Sequence, residues 1–289
     1  MISLMNKQPH SHTNKRSLYL RECAQQVCDQ LAIHPVLKQY WARISVILKG
    51  SAARGNADGL SDIDLVLYCD ESTRTAIIGG YRLAGMTQRS DGILMFFAGK
   101  GYDGHYHVES FDQLRHYFNA PDFIHVWEYQ QVILLCDPSH RFRNAVLRGT
   151  RQALGNPMIH IKRAYLNLQL DLDWLRHPLK RGDGLSVYLH CAQLTRGFIC
   201  ISYLLDGKPY PPDKWSVHYL STTRFGKRHN AQFAAYAHSS ATSTDIPCYL
   251  DLSCYPLYTD AQKLVGQLER FTRKHYGNQP WLSEWYKYV

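Results

Sequence analysis

Apolar and polar positions follow one rhythm up to about residue 150 and another beyond it. In the first stretch, short apolar runs at 44–48, 63–67, 92–98 and 132–135 are separated by turn-rich or helix-forming segments. Runs of this length bounded by Gly, Pro, Asn or Asp mark buried strands. They predict strands at 44–48, 62–68 and 92–98, and a fourth at 106–111 after the turn-rich GKGYDG. The run at 132–135 stays a short apolar segment that ends at Asp137-Pro138. Helices are predicted at 17–33, where Leu18, Cys23, Val27 and Leu31 share one side before Pro35, at 71–83, and after Asp122. Beyond 150, Ile161, Tyr165, Leu168, Leu172 and Leu175 recur at spacings of 4, 3, 4 and 3, the period of an amphipathic helix. KRGDG at 180–184 ends it, and a second helix is predicted at 185–205. The segment 206–215 reads as a turn, a helix is expected from 216, the stretch 237–247 is loop-like, and 259–276 is helical again. Strands mixed with helices, then helices alone, predict an α/β (α+β) domain over 17–150 and a helical bundle domain over 151–289. The polar residues 1–16 are expected to form a disordered leader.

Composition narrows the compartment more than the chemistry. No apolar run approaches the ~20 residues of a membrane span, and the N-terminus lacks the apolar core of a signal peptide. The eight cysteines form no C-x-x-C pair, which fits buried thiols in a reducing cytoplasm. Fifteen histidines show neither H-E-x-x-H nor a Cys/His zinc spacing, so no structural zinc is expected. The net charge of +9 points mildly to an anionic partner, but Lys and Arg are dispersed apart from short clusters such as 224–228.

The sharpest chemistry lies between the first two strands. The run 44–48 ends in Lys49-Gly50-Ser51-Ala52-Ala53-Arg54-Gly55, and ten residues on comes Ser61-Asp62-Ile63-Asp64-Leu65. Strand side chains alternate, so Asp62 and Asp64 emerge on one face while Ile63, Leu65 and Leu67 enter a core. Two carboxylates about 6.5–7 Å apart along a strand repel each other unless a cation joins them. Magnesium takes oxygen ligands and keeps waters and substrate phosphates in its shell. Gly50, Gly55 and Gly59 free the intervening backbone to approach phosphates. A magnesium–nucleotide site follows. In the fourth strand, His105, His107, Glu109 and Phe111 share a face, and Glu109 beside the Asp pair would complete a three-carboxylate site; Asp103 and Asp112 are rivals at the strand edges. On the helix at 185–205, Arg196 lies in the stripe Leu189, Ala192, Ile199, Tyr203, opposite a second apolar stripe. An arginine on so apolar a helix needs an anionic partner, either a carboxylate such as Asp171 or Asp173, or a phosphate. Trp127, Glu128 and Trp174 are candidates to line an acceptor pocket.

The pattern G-S-(x)10-D-x-D between two strands resembles the DNA polymerase β-type nucleotidyltransferase superfamily. Its GSA and SDIDL elements are similar to those of the antibiotic (aminoglycoside and lincosamide) nucleotidyltransferases. The resemblance implies a mixed-sheet nucleotidyltransferase domain followed by a helical domain that closes on the nucleotide. It implies two Mg2+ ions on Asp62, Asp64 and Glu109, with Glu109 as base, and ATP as co-substrate. Gly50, Ser51 and Arg54 would face the phosphates, as would Arg196 and Lys214 from the helical domain. The implied reaction moves AMP onto a hydroxyl of a small molecule and releases pyrophosphate. The basic charge disfavours a polycationic acceptor and leaves a neutral one, an RNA end or a protein hydroxyl (as in toxin–antitoxin nucleotidyltransferases). A nucleotide-binding regulator without turnover has no need of three carboxylates.

Overall fold

The computed structural model describes residues 2–3, 13–86, 94–119, 121–242, 246 and 251–289. The chain divides into two compact units, Met1–Ala153 and Leu154–Val289.

The first unit is built on a six-stranded mixed sheet. In chain order its elements are β1 (Ile2–Ser3), α1 (Lys15–Ala32), β2 (Ser45–Leu48), α2 (Gly50–Arg54), β3 (Ile63–Cys69), α3 (Glu71–Leu83), β4 (Leu94–Gly99), β5 (Tyr102–Ser110), α4 (Phe111–Asn119), α5 (Phe123–Gln130), β6 (Ile133–Cys136) and α6 (Arg141–Leu154). The strands lie in the order β1-β6-β2-β3-β5-β4. Strands β3 and β5 pair in parallel, with Asp64 opposite His105 and Tyr68 opposite Glu109. Gly104 makes this pairing possible, since a Cβ there would stand 2.4 Å from the Ile63 carbonyl oxygen.

Alternation along the strands divides the core in two. Val46, Leu48, Ile63, Leu65 and Leu67 pack under α1 and α3. Ile47, Val66 and Tyr68 face Phe111 and Leu114 of α4, Val126 and Tyr129 of α5, and Phe142 and Val146 of α6. Each fully buried Leu or Ile of this kind contributes about 1.5–3 kcal/mol by leaving water. Asp64 shares the face of Val66 and Tyr68, near the start of β3, and its carboxylate stays partly exposed.

Several expectations shift. The run at 132–135 belongs to β6, a strand between β1 and β2 that a four-residue apolar run did not announce. The fourth strand begins at Tyr102, inside GKGYDG, and stops at Ser110. Phe111 therefore leaves the strand face and opens α4, with the Arg141 guanidinium 4.4 Å above its ring. The stretch 50–54, expected as open loop, is a single helical turn closed by Gly55 in the left-handed conformation. Gly92 of the third predicted strand lies outside the described residues, as do leader residues 4–12, whereas Ile2–Ser3 pairs with β6.

The second unit is helical: α7 (Pro157–Trp174), α8 (Arg176–Arg181), α9 (Gly184–Leu204), α10 (Asp213–Ser216), α11 (Arg224–Thr242), α12 (Pro256–Tyr276) and α13 (Pro280–Ser283). Both α7 and α11 pack on α9. At Gly197 a Cβ would meet Leu168 at 2.6 Å, so glycine sets the close approach of α7 to α9. The helix expected from 216 starts at Arg224 and runs through Thr242, into the segment expected as loop; residues 243–245 and 247 lie outside the described residues. The first turns of α9 are not sandwiched: Leu185 and Leu189 are exposed, and burial of that stripe begins at Ile199.

Candidate active site

Asp62 and Asp64 stand where β3 begins, and the turn after β2 lies directly beside them. The Lys49 N–H donates to the Asp64 carbonyl at 2.8 Å, continuing the β2–β3 ladder into the turn. Gly50 follows with φ +74°, which disfavours any side chain, and a Cβ there would lie 3.8 Å from the Asp64 Cβ. Ser51 and Arg54 follow on α2. The start of α1 clamps this region from behind. Arg21 donates to the carbonyls of Ala52 (2.9 Å) and Ala53 (2.8 Å). The Asn14 amide reaches Ala57 O at 2.8 Å, and the Ala57 N–H donates to Ser17 Oγ. These clamps fix the backbone that carries the turn.

On the sheet, β5 places His105 against the pair. Its Nδ1 lies 3.5 Å from Asp62 and its Nε2 lies 3.5 Å from Asp64, so one imidazole spans both carboxylates. His107 follows two residues on along the same face. Ligand atoms of Asp64, His105 and His107 all lie within 4.8 Å of one another, close enough to share one metal ion. His107 Nε2 lies 2.8 Å from Glu109 Oε1. A carboxylate only accepts, so Nε2 is the donor in this bond.

The structure does not bring Glu109 into this cluster. The β3–β5 register sets it opposite Tyr68, four residues beyond His105 or about 13 Å along the strand. Its Oε1 is held by His107, and its Oε2 accepts from the Tyr68 hydroxyl at 2.6 Å. Burial pushes the Glu109 carboxyl up, but hydrogen bonds from His107 and Tyr68 and the charges of His107 and Lys49 outweigh it, leaving it below the usual carboxylate range. Tyr68 in turn meets the Tyr129 hydroxyl, and burial raises both phenols well above their ordinary value. Lys49 is half-buried, 3.4 Å from Glu128. Burial lowers its ammonium, yet Glu128, Asp64 and Glu109 more than compensate and keep it charged. Asp103 pairs with Ala98 within the sheet and Asp112 is engaged by Arg115, so neither rival enters the cluster.

Residues 32–115 match the model of the nucleotidyltransferase domain. The chain carries a nucleotidyltransferase domain. The match takes in the Gly-Ser turn, the carboxylate pair and the histidine strand, and it makes the protein an enzyme of nucleotidyl transfer. A solved structure similar to this chain is that of a nucleotidyltransferase-like protein from Exiguobacterium sibiricum, at 10% identity and a TM-score of 0.47, over 86% of this chain and 78% of that one. No curated protein matches in sequence.

In this nucleotidyltransferase domain Arg54 lies over the ring of Trp127 at 5.6 Å. Trp127 is itself buried, and Glu128 is committed to Lys49. In the second unit Arg196 donates to Asp213 at 3.0 Å, so its carboxylate comes from the segment expected as a turn and from neither Asp171 nor Asp173. Lys214 follows Asp213 on α10. Arg196 also lines a groove of about 370 Å3 with Asp171, Trp174, Gln193 and Tyr210. The expectation of three carboxylates passed over the His105–His107 pair beside Asp64 and Lys49 as a half-buried cation. The shared face of the two histidines was visible in the sequence; that β5 pairs in parallel with β3 was not. No helix of the described residues is long and apolar enough to cross a membrane.

Proposed function

We propose that this enzyme transfers a nucleoside monophosphate, AMP from ATP in the first instance, to a hydroxyl of a small molecule and releases pyrophosphate. One observation carries the reading: two carboxylates at the start of β3, spanned by a single imidazole, abut a Gly-Ser turn whose glycine holds a left-handed φ of +74°. The acceptor oxygen forms a bond to the α-phosphorus as the bond from that phosphorus to the pyrophosphate oxygen breaks. The donor set fits a hard divalent cation at Asp62 and Asp64. Mg2+ bound with the nucleotide would supply positive charge to the triphosphate and to the leaving oxygen. Gly50 and Ser51 present the turn to the β- and γ-phosphates, and Lys49 adds a fixed positive charge behind it.

The resemblance implies Glu109 as base, but each Glu109 oxygen already accepts a hydrogen bond inside the sheet. We therefore give Glu109 the task of holding His107. The roles of Arg196 and Lys214 toward phosphate rest on the resemblance alone. A small acceptor likewise rests on the resemblance. Antibiotic acceptors lead that class on the same resemblance.

A second reading, an RNA acceptor, has its own observation. Helix α6 carries Arg141, Arg143, Arg148 and Arg151 without one carboxylate. With Arg115 of α4, two of these line a hollow of about 310 Å3. Incubation with each of the four nucleoside triphosphates, Mg2+ and a panel of hydroxylated small molecules tests the primary reading by pyrophosphate release. Release that depends on a small hydroxyl compound supports it. Label on an RNA end, with RNA affinity falling steeply as salt rises, would move the assignment to the second reading.

A further inference from the structure

The donor atoms beside the carboxylate pair are not those of a magnesium cage. We infer that Asp64, His105 and His107 form a binding position for a divalent first-row transition ion, which they hold in preference to Mg2+, with Glu109 as the residue that positions His107. The inference rests on the nucleotidyl-transfer reading for its place in the reaction, but its chemistry stands on the ligand set.

Three features support it. First, the cluster offers two imidazole nitrogens and one carboxylate oxygen within 4.8 Å of each other. Imidazole suits Zn2+, Co2+, Ni2+, Fe2+ and, more weakly, Mn2+, whereas Mg2+ is a hard ion that prefers oxygen and sheds water reluctantly. Two histidines and one carboxylate leave coordination positions open, as a reactive site requires. Second, His107 is prepared as a ligand. Its Nε2 is committed to Glu109 at 2.8 Å, which fixes the ring beside the cluster. A carboxylate on the far nitrogen is the usual companion of a metal-bound histidine, raising its basicity and fixing its orientation. Third, Glu109 is itself held, by the Tyr68 hydroxyl at 2.6 Å. The line Tyr68–Glu109–His107 runs from core to cluster and has no other evident use.

The competing explanation is that His105 is an imidazolium donating to both aspartates. Its two contacts, each 3.5 Å, are long for hydrogen bonds to a charged ring. They are compatible with a ring that shares Asp64 with an ion. Asp62 lies outside the three-residue cluster and half exposed. It is left for the Mg2+ that arrives with the triphosphate, so the two metal positions of this enzyme would differ in kind.

The test uses full-length, tag-free, nucleotide-free protein titrated with Co2+, Mn2+ and Mg2+, followed by calorimetry and by the visible absorption of bound Co2+. One Co2+ per chain is expected, at an affinity at least ~100-fold above that for Mg2+, with ligand-field bands that report nitrogen ligation. His105→Ala and His107→Ala should each lower Co2+ affinity by at least ~10-fold, and Glu109→Gln by ~10–100-fold with the bands shifted. His105→Asp should narrow the preference toward Mg2+, a gain that misfolding cannot mimic. Equal affinities for Co2+ and Mg2+, or Co2+ binding unaffected by both alanine variants, would overturn the inference. Pyrophosphate release in Mg2+ alone separates this from the functional reading. Turnover without Co2+ binding removes only the inference, and Co2+ binding without any turnover removes only the reading.

Discussion

Each unit of this protein keeps a carboxylate among basic groups, and the two are treated in opposite ways. In the helical unit, Asp206 is almost fully buried and closed. It accepts from the Arg224 guanidinium at 2.7 Å and from the Arg224 backbone N–H at 3.0 Å, with Lys208 a further cation at 3.9 Å. In the sheet unit, Asp62 and Asp64 are open. The basic atoms that pair with them, each at 3.5 Å, belong to one imidazole. A carboxylate whose lone pairs are filled by its own chain is a brace that joins elements, here the end of α9 to the start of α11. A carboxylate pair left short of cations is a binding site, because the missing charge must come from a ligand.

This contrast breaks most sharply at Asp64. Asp64→Asn should keep the fold and lower turnover by about a thousandfold or more, since it removes a ligand charge that stabilises the transition state by several kcal/mol. Circular dichroism with a pyrophosphate assay checks both halves, and turnover within tenfold of the wild type would contradict the site. Asp206→Ala should do the reverse. Losing charge-assisted bonds at a buried acceptor costs about 1.5–3 kcal/mol, read as a lower melting temperature with turnover of the folded enzyme within threefold. Unchanged stability would show that Asp206 is no brace.

Between these extremes lies the Tyr68–Glu109–His107 line, which is closed like Asp206 yet leads to the open cluster. Tyr68→Phe removes one donor to Glu109 and should cost about 1–2 kcal/mol of stability, with a smaller loss of metal affinity than Glu109→Gln. If stability falls and metal affinity does not, the line is structural only.

The smallest effect is expected at Asp70, a surface brace. Arg141 holds it through two hydrogen bonds of 2.6 and 2.7 Å, which hold the Asp70 carboxyl below the usual range despite some burial. A depressed native value means that the pair stabilises the fold above the unfolded carboxyl's pKa of ~3.9 and loses that contribution as pH falls through the native value. Both partners are substantially exposed, so the gain is at most ~1 kcal/mol. Asp70→Asn should therefore lower the melting temperature slightly at pH 5–8, and the difference should disappear as pH falls through the depressed native value. A difference that persists in acid would place the effect in packing instead.

Much of the open site was legible from sequence because its signals are local. Alternation at Asp62, Ile63, Asp64 and Leu65 fixes which side chains share a face, and Gly50 marks a turn whose left-handed backbone favours glycine. What escaped is non-local. The position of Glu109 depends on the β3–β5 register, which is set by parallel pairing and by the close approach at Gly104. Strand β6 is short enough to pass for a loop between helices. Arg196 was read against carboxylates on its neighbouring helix α7, but its partner Asp213 arrives from the next turn of chain. Helix α6 carried a readable signal in Phe142, Val146 and Ala153 at helical spacing, with Asp137 accepting from the N–H groups of Phe142 and Arg143 at its start.

The most direct test of the account follows the two ends of the nucleotide at once. The enzyme is incubated with a hydroxylated acceptor panel, Mg2+ and ATP labelled distinguishably at the α- and γ-phosphates, beside Asp64→Asn. The account predicts the α label on an acceptor, the γ label in pyrophosphate, and neither product from the variant. The γ label on an acceptor, or equal products from both proteins, would contradict it.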